Sequence, residues 1–183
     1  MTFTYTRHNM AYSAIAVANA FIRKAKEKGI KDVTPMKLQK LVFYAHAWSL
    51  VMSNTPLVRD KVFAWTYGPV FESIYHEFKG YGSTNITKPG TELVQNNGIN
   101  SILKAKYVAP EIPDNDEFSE SIIDGVLDAY GDQSAIALSN LTHRPGSAWH
   151  TIVEEHGGGD PRNIIIPNDV IKECTSRELG LND

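Results

Sequence analysis

The chain has 183 residues, 42% hydrophobic and 21% charged, with a formal net charge of −3. These values describe one ordinary globular domain and exclude a disordered protein, while the mild acidity removes the broad attraction to phosphate backbones that a general nucleic-acid binder needs. The one cysteine, Cys174, excludes an intramolecular disulfide and any site built from several thiolates.

Met1 to His8 lacks the apolar core of a secretory signal. No stretch approaches the roughly 18 uncharged apolar residues of a membrane span. A soluble, cytoplasmic protein is the expectation.

Met10 to Lys28 reads as an alanine-rich helix, with Tyr12, Ile15, Asn19 and Ile22 recurring beside Ala16 and Ala20 at three- and four-residue spacing. Lys24, Lys26 and Lys28 complement the helix dipole in the last turns, and Gly29 is a natural left-handed stop. Thr34 then caps a second helix, with Pro35 at its first position. Leu38, Leu41, Val42, Ala45, Trp48 and Met52 line one side, and Phe43, Tyr44, Ala47, Leu50 and Val51 much of the other. A helix apolar nearly all round belongs at the centre of a bundle. Lys37 and Lys40 run against that pattern near the first turn, where the dipole disfavours each by about 0.3–1 kcal/mol. The expectation is that both are solvated; the functional alternative is contact with a partner.

Leu57 to Trp65 is short and partly β-like. Gly68 then reads as a cap and Pro69 as the first residue of a helix carried by Val70, Phe71, Ile74, Tyr75 and Phe78, ended by Gly80 and Gly82. From Ser83 to Pro113 the helical pattern fails. Lys88-Pro89-Gly90 and Asn96-Asn97-Gly98 are turn signals, and Thr91 to Gln95 with Ile99 to Leu103 reads as a small hairpin. Ile122 to Tyr130 forms a helix ended by Gly131, Ser134 to Leu141 a shorter one, and Ser147 caps Ala148 to Glu155. Gly157-Gly158-Gly159 is a break rather than a domain linker, since too little chain follows to form a second core. Asn163 to Pro167 is extended, and Asn168 or Asp169 starts a final helix to Leu179.

Six histidines raise the question of metal or acid–base chemistry. His-Glu-x-x-His is absent, His143 and His150 are interrupted by Pro145-Gly146, and Glu72 with His76 is an ordinary i, i+4 pair. His143 has no obvious nucleophile beside it, since Ser139 and Ser147 read as a helix residue and a cap. Trp48, Trp65 and Trp149 with Tyr67 and Tyr130 are core residues first and an aromatic ligand site only as an alternative. No catalytic, cofactor or metal residue emerges.

Three ordered blocks carry more. They are Thr34-Pro35-Met36-Lys37-Leu38-Gln39-Lys40-Leu41-Val42-Phe43-Tyr44-Ala45; Ala64-Trp65-Thr66-Tyr67-Gly68-Pro69-Val70; and Tyr130-Gly131 with Ser134-Ala135, Leu138 to His143 and Ser147-Ala148-Trp149. Together they resemble the SocA-like Panacea domain, a bacterial and phage-associated antitoxin family. The departures are Phe43 where a tyrosine is common and Ala148 where a proline often precedes the tryptophan. The resemblance implies one domain over 1–183, best matched over 10–155, with 156–183 a C-terminal extension holding a short strand and helix. It implies a mainly α fold, a compact helical bundle with a few short strands or a small β-hairpin.

It also implies no enzyme and no cofactor, but a protein that binds and neutralises a cognate toxin encoded by the adjacent gene, with no membrane or nucleic-acid partner. One branch of the family resembles a proteolytic adaptor delivering its toxin to the ClpXP protease. Candidate partner-binding or family-motif residues are Lys37, Lys40, Trp65, Tyr67, Gly68, Pro69, Thr142, His143 and Trp149. The rival readings are a small-molecule or nucleotide-binding enzyme using His143 and the aromatics, and a DNA-binding regulator of its own operon.

Overall fold

The computed structural model describes residues 11–94, 105–157 and 160–181. Its organising element is α2 (Pro35–Ser53), where Thr34 Oγ1 accepts the Lys37 N–H and Pro35 opens the first turn. Leu38, Leu41, Val42 and Ala45 are fully buried, and Phe43 and Tyr44 nearly so. The helix is therefore enclosed on all sides over residues 37–47, as its apolar circumference requires, while Met52 near its end is 57% exposed. It stops where Asn54 turns left-handed at φ 55°.

Around it pack α1 (Ala14–Glu27), α4 (Glu117–Tyr130), α5 (Ala135–Thr142) and α7 (Asn168–Glu178), with α3 (Glu72–Phe78) and α6 (Ala148–Glu155) at the sides. Ser13 caps α1, and the Ile30 N–H reaches back to the Ala25 carbonyl at 2.9 Å across Gly29, whose φ of 74° permits the reversal. Ser134 and Ser147 cap α5 and α6 with their hydroxyls. The architecture is mainly α. Among the described residues no helix is long and apolar enough to cross a membrane.

Two small antiparallel pairs complete it. β1 (Phe63–Trp65) pairs with β2 (Gly68–Val70), with Trp65 opposite Gly68 across the two-residue turn Thr66–Tyr67. The other edge of β1 is lined by the extended 164–166 segment, through Ala64 N–H to Ile164 O and Ile166 N–H to Val62 O, both 2.8 Å. β3 (Glu92–Val94) pairs with β4 (Lys106–Val108).

Three expectations need correction. Gly68-Pro69 does not open a helix: it forms β2, and α3 begins at Glu72. Gly68 adopts φ 101°, and Pro69 lies on the outer strand, where a missing N–H does not break the ladder. The hairpin from Thr91 pairs with 106–108, while Ile99 to Leu103 and Asn96-Asn97-Gly98 lie outside the described residues, as do Met1 to Met10 and Gly158-Gly159. Lys37 and Lys40 are not solvated. They are 0% and 1% exposed, because the stripe they occupy on α2 is covered by β2 and the α4–α5 joint.

Candidate functional site

Residues from all three sequence blocks converge on the backbone of one tight turn. A free two-residue hairpin would leave its tip carbonyls to water; here they meet side chains from three helices. Trp65 O accepts from Trp149 Nε1 on α6 at 2.8 Å. Thr66 O faces His143 Nε2 at 3.0 Å, and Tyr67 O accepts from Ser139 Oγ on α5 at 2.9 Å. Pro69 O accepts from Lys40 Nζ on α2 at 3.1 Å. Gly68 has no room for a side chain. A Cβ there would sit 2.4 Å from Thr142 Oγ1 and 2.9 Å from Lys40 Nζ.

These donors are themselves held in place. His143 caps the end of α5, and its Nδ1 lies 2.6 Å from Ser139 O. Both ring nitrogens thus face carbonyls, so the neutral ring donates to one and the protonated ring to both. The imidazole packs on Trp149 with centroids 3.9 Å apart. Thr142 Oγ1 donates to Ser139 O, and Ser147 Oγ donates to Thr142 O, both at 2.7 Å, tying the end of α5 to the start of α6. Behind the turn, Gln39 pairs both ways with Phe71: its Oε1 accepts the Phe71 N–H at 2.9 Å and its Nε2 donates to Phe71 O at 3.0 Å.

With the carbonyls engaged from behind, the turn's side chains face out. Tyr67 is 68% exposed and Tyr75 on α3 42%. Trp65 is half-buried and packs edge-on against Tyr75 at 4.8 Å. Its indole N–H is buried and has no acceptor among the described residues. Ile136 is 70% exposed and stands one helical turn before Ser139. The result is a rigid turn backed by polar anchors and fronted by aromatics.

The electrostatics centre on Lys40, whose amine burial alone pulls down to about 7. Lys37 sits on the same helix face but outside the cluster, donating to Asp32 Oδ1 and Gly131 O, each at 2.6 Å. Of the candidate residues, Lys40, Trp65, Tyr67, Gly68, Pro69, Thr142, His143 and Trp149 meet here, and Lys37 does not.

The five aromatics considered together divide: Trp48 lies by Tyr130, which stacks on Tyr44 at 4.4 Å, away from the turn. Ser139 and Gln39 are not among the candidate residues, although both stand in the quoted blocks: Ser139 reads as an ordinary helix residue, and the signal for Gln39 is a polar residue inside a helix apolar all round. Among the described residues no group of three His, Cys, Asp or Glu could hold a metal ion.

Residues 38–150 match the family model described as Antitoxin SocA-like, Panacea domain. That span contains every donor to the turn. The chain is also similar to the protein named Antitoxin SocA from Caulobacter vibrioides (strain NA1000 / CB15N), 29% identical over 168 residues, 92% of this chain and 85% of the relative. No solved structure matches it.

Proposed function

The chain belongs to the SocA-like Panacea antitoxin family, and from that premise we propose that it neutralises a cognate toxin by direct protein–protein binding through the face around the β1–β2 turn. Family membership supports the antitoxin role. The observation that carries the choice of surface is the set of four side chains anchoring the turn's carbonyls while Tyr67 and Tyr75 stay exposed. Anchoring from behind lowers the entropy lost when a partner orders the turn, and aromatic residues dominate binding energy at the centre of interfaces. A standard interface of about 800 Å² on this partner would take in the turn, the exposed side of α3 and the start of α5.

The proposal covers a single domain over 1–183, with α7 seated on α2 as its C-terminal part. It also assigns no catalysis. The His143 ring nitrogens are both turned to backbone carbonyls, so neither is free to act as a base toward a surface ligand.

Co-expression with the product of the adjacent gene is the test. Growth should be restored and a complex should co-elute on size exclusion, and replacing Tyr67 and Trp65 together by alanine should abolish both. Unchanged growth arrest with no complex would overturn the proposal. Toxin half-life in the same cells separates the modes: a stable toxin means blocking, and ClpXP-dependent loss means proteolytic delivery.

A further inference from the structure

Lys40 is buried without the compensation that a buried cation normally has. Lys37, three residues earlier and equally buried, meets a carboxylate and a carbonyl. Lys40 meets only the Pro69 carbonyl among the described residues. β1, β2 and α5 carry no charged residue. The titratable and charged groups on the surrounding elements are Lys37, Tyr44 and His46 on α2, Tyr67 in the turn, His143 and Arg144 after α5, Asp132 in the α4–α5 joint, and Glu72, Tyr75, His76 and Glu77 on α3. None of them makes a hydrogen bond or ion pair with the Lys40 amine. The amine also fills the space that Gly68 leaves by having no Cβ, so turn and lysine are fitted to each other.

We propose that Lys40 is the positioning residue of the β1–β2 turn, seating it on α2 as the uncharged amine and releasing it when the amine gains a proton. This deepens the reading of the turn as the toxin-binding face and rests on it. An uncharged amine needs little more than the one carbonyl it has. An ammonium brings three donors and a charge into a site with a single acceptor, and it recovers its hydration only if the turn lifts.

Burial places the seated amine near 7, against about 10.4 for a lysine in water. Between those values each unit fall in pH weakens closure by up to about tenfold. His143 backs the same turn from the other side, with Nδ1 2.6 Å from Ser139 O and Nε2 3.0 Å from Thr66 O, and makes no contact with the Lys40 amine.

The experiment is hydrogen exchange by NMR on the free full-length protein, following the amides of residues 63–71 at pH 7.0, 7.75 and 8.5, corrected for intrinsic rates. In the wild type, protection should rise with pH by up to about tenfold per unit. In Lys40→Met it should be flat, and at pH 7 at least equal to the wild type. Flat protection in the wild type, or an unchanged slope in Lys40→Met, would overturn the proposal. Should Lys40→Met not fold, the Lys40 13Cε shift of the wild type is titrated instead. A midpoint near 7 supports the proposal and one above 9.5 overturns it. No toxin enters these measurements, so a failed co-expression leaves their outcome standing, and the reverse also holds.

Discussion

Lys37 and Lys40 leave the same face of α2 one turn apart, both out of solvent, and only Lys37 meets a carboxylate, Asp32 at 2.6 Å. The pair makes an internal comparison. One amine has a carboxylate beside it and donates to a helix-end carbonyl; the other lies beneath a turn with a single acceptor.

Substituting each by methionine should therefore move stability in opposite directions at pH 7. Lys37→Met strips Gly131 O of its donor and should cost about 1–3 kcal/mol. Lys40→Met removes the uncompensated group and should be neutral or stabilising. The folded-state value of Lys40 is depressed, so its contribution is fully present above the unfolded value of about 10.4 and is lost as pH falls toward about 7. Urea unfolding at pH 7 and 9 should show the wild type gaining on Lys40→Met by as much as about 1.4 kcal/mol per unit.

Gly68→Ala should be among the most damaging single changes in the chain. It asks an L residue to hold φ 101° and puts a methyl group 2.4 Å from Thr142 Oγ1. A loss of about 2–4 kcal/mol is expected by thermal or urea unfolding. Gly146→Ala is the control, with φ 85° but nothing within 4 Å, and should cost about 1 kcal/mol. Equal losses in the two would show that the crowding around Gly68 does not matter.

Tyr67→Ala and Trp149→Phe should separate recognition from support. Tyr67 is largely exposed, so its loss should leave stability within about 0.5 kcal/mol while weakening complex formation with the toxin. Trp149→Phe keeps the ring against His143 but removes the donor to Trp65 O, at about 1 kcal/mol. Pull-down against calorimetry on both variants is the measurement. Binding untouched in Tyr67→Ala would move the interface elsewhere.

His46 supplies a second pH dependence, at the joint between α2 and α7. Its Nδ1 accepts the Val58 N–H at 3.2 Å and its Nε2 donates to Asn168 Oδ1 at 2.9 Å, so the neutral tautomer is fixed. Burial lowers its proton affinity, against a smaller opposing effect of Asn168. Because the folded-state value is depressed, the stability it contributes is present above about 6.5 and is lost as pH falls below that. Unfolding at pH 7.5 and 5.5 should show a larger loss in the wild type than in His46→Gln. The limit is about 1.4 kcal/mol per unit.

Much of the fold was legible in the residues because its signals are local. A cap needs one hydroxyl three residues from an N–H, which is how Thr34 and Ser147 announce two helices. A left-handed stop needs one glycine, and Gly29 provides it. The all-round apolarity of α2 likewise required no knowledge of its neighbours to place it at the centre.

The site was legible only as a set of residues. Lys40, Gly68, Pro69, Thr142, His143 and Trp149 stood in recognisable blocks, but nothing local says that they meet. Gly-Pro suits a helix start as well as a strand leaving a turn. Only the pairing of Trp65 with Gly68 and the donors from α2, α5 and α6 decide for the strand. The same holds for charge. Sequence by itself determined an acidic, mainly helical chain with a central apolar helix, because composition and periodicity are properties of neighbours along the chain. Tertiary structure decided that two lysines of that helix lie out of water and that one of them holds a turn. Asp32 is five positions from Lys37, but the carbonyls the two amines meet, Gly131 O and Pro69 O, lie 94 and 29 positions away, at separations no local pattern reaches.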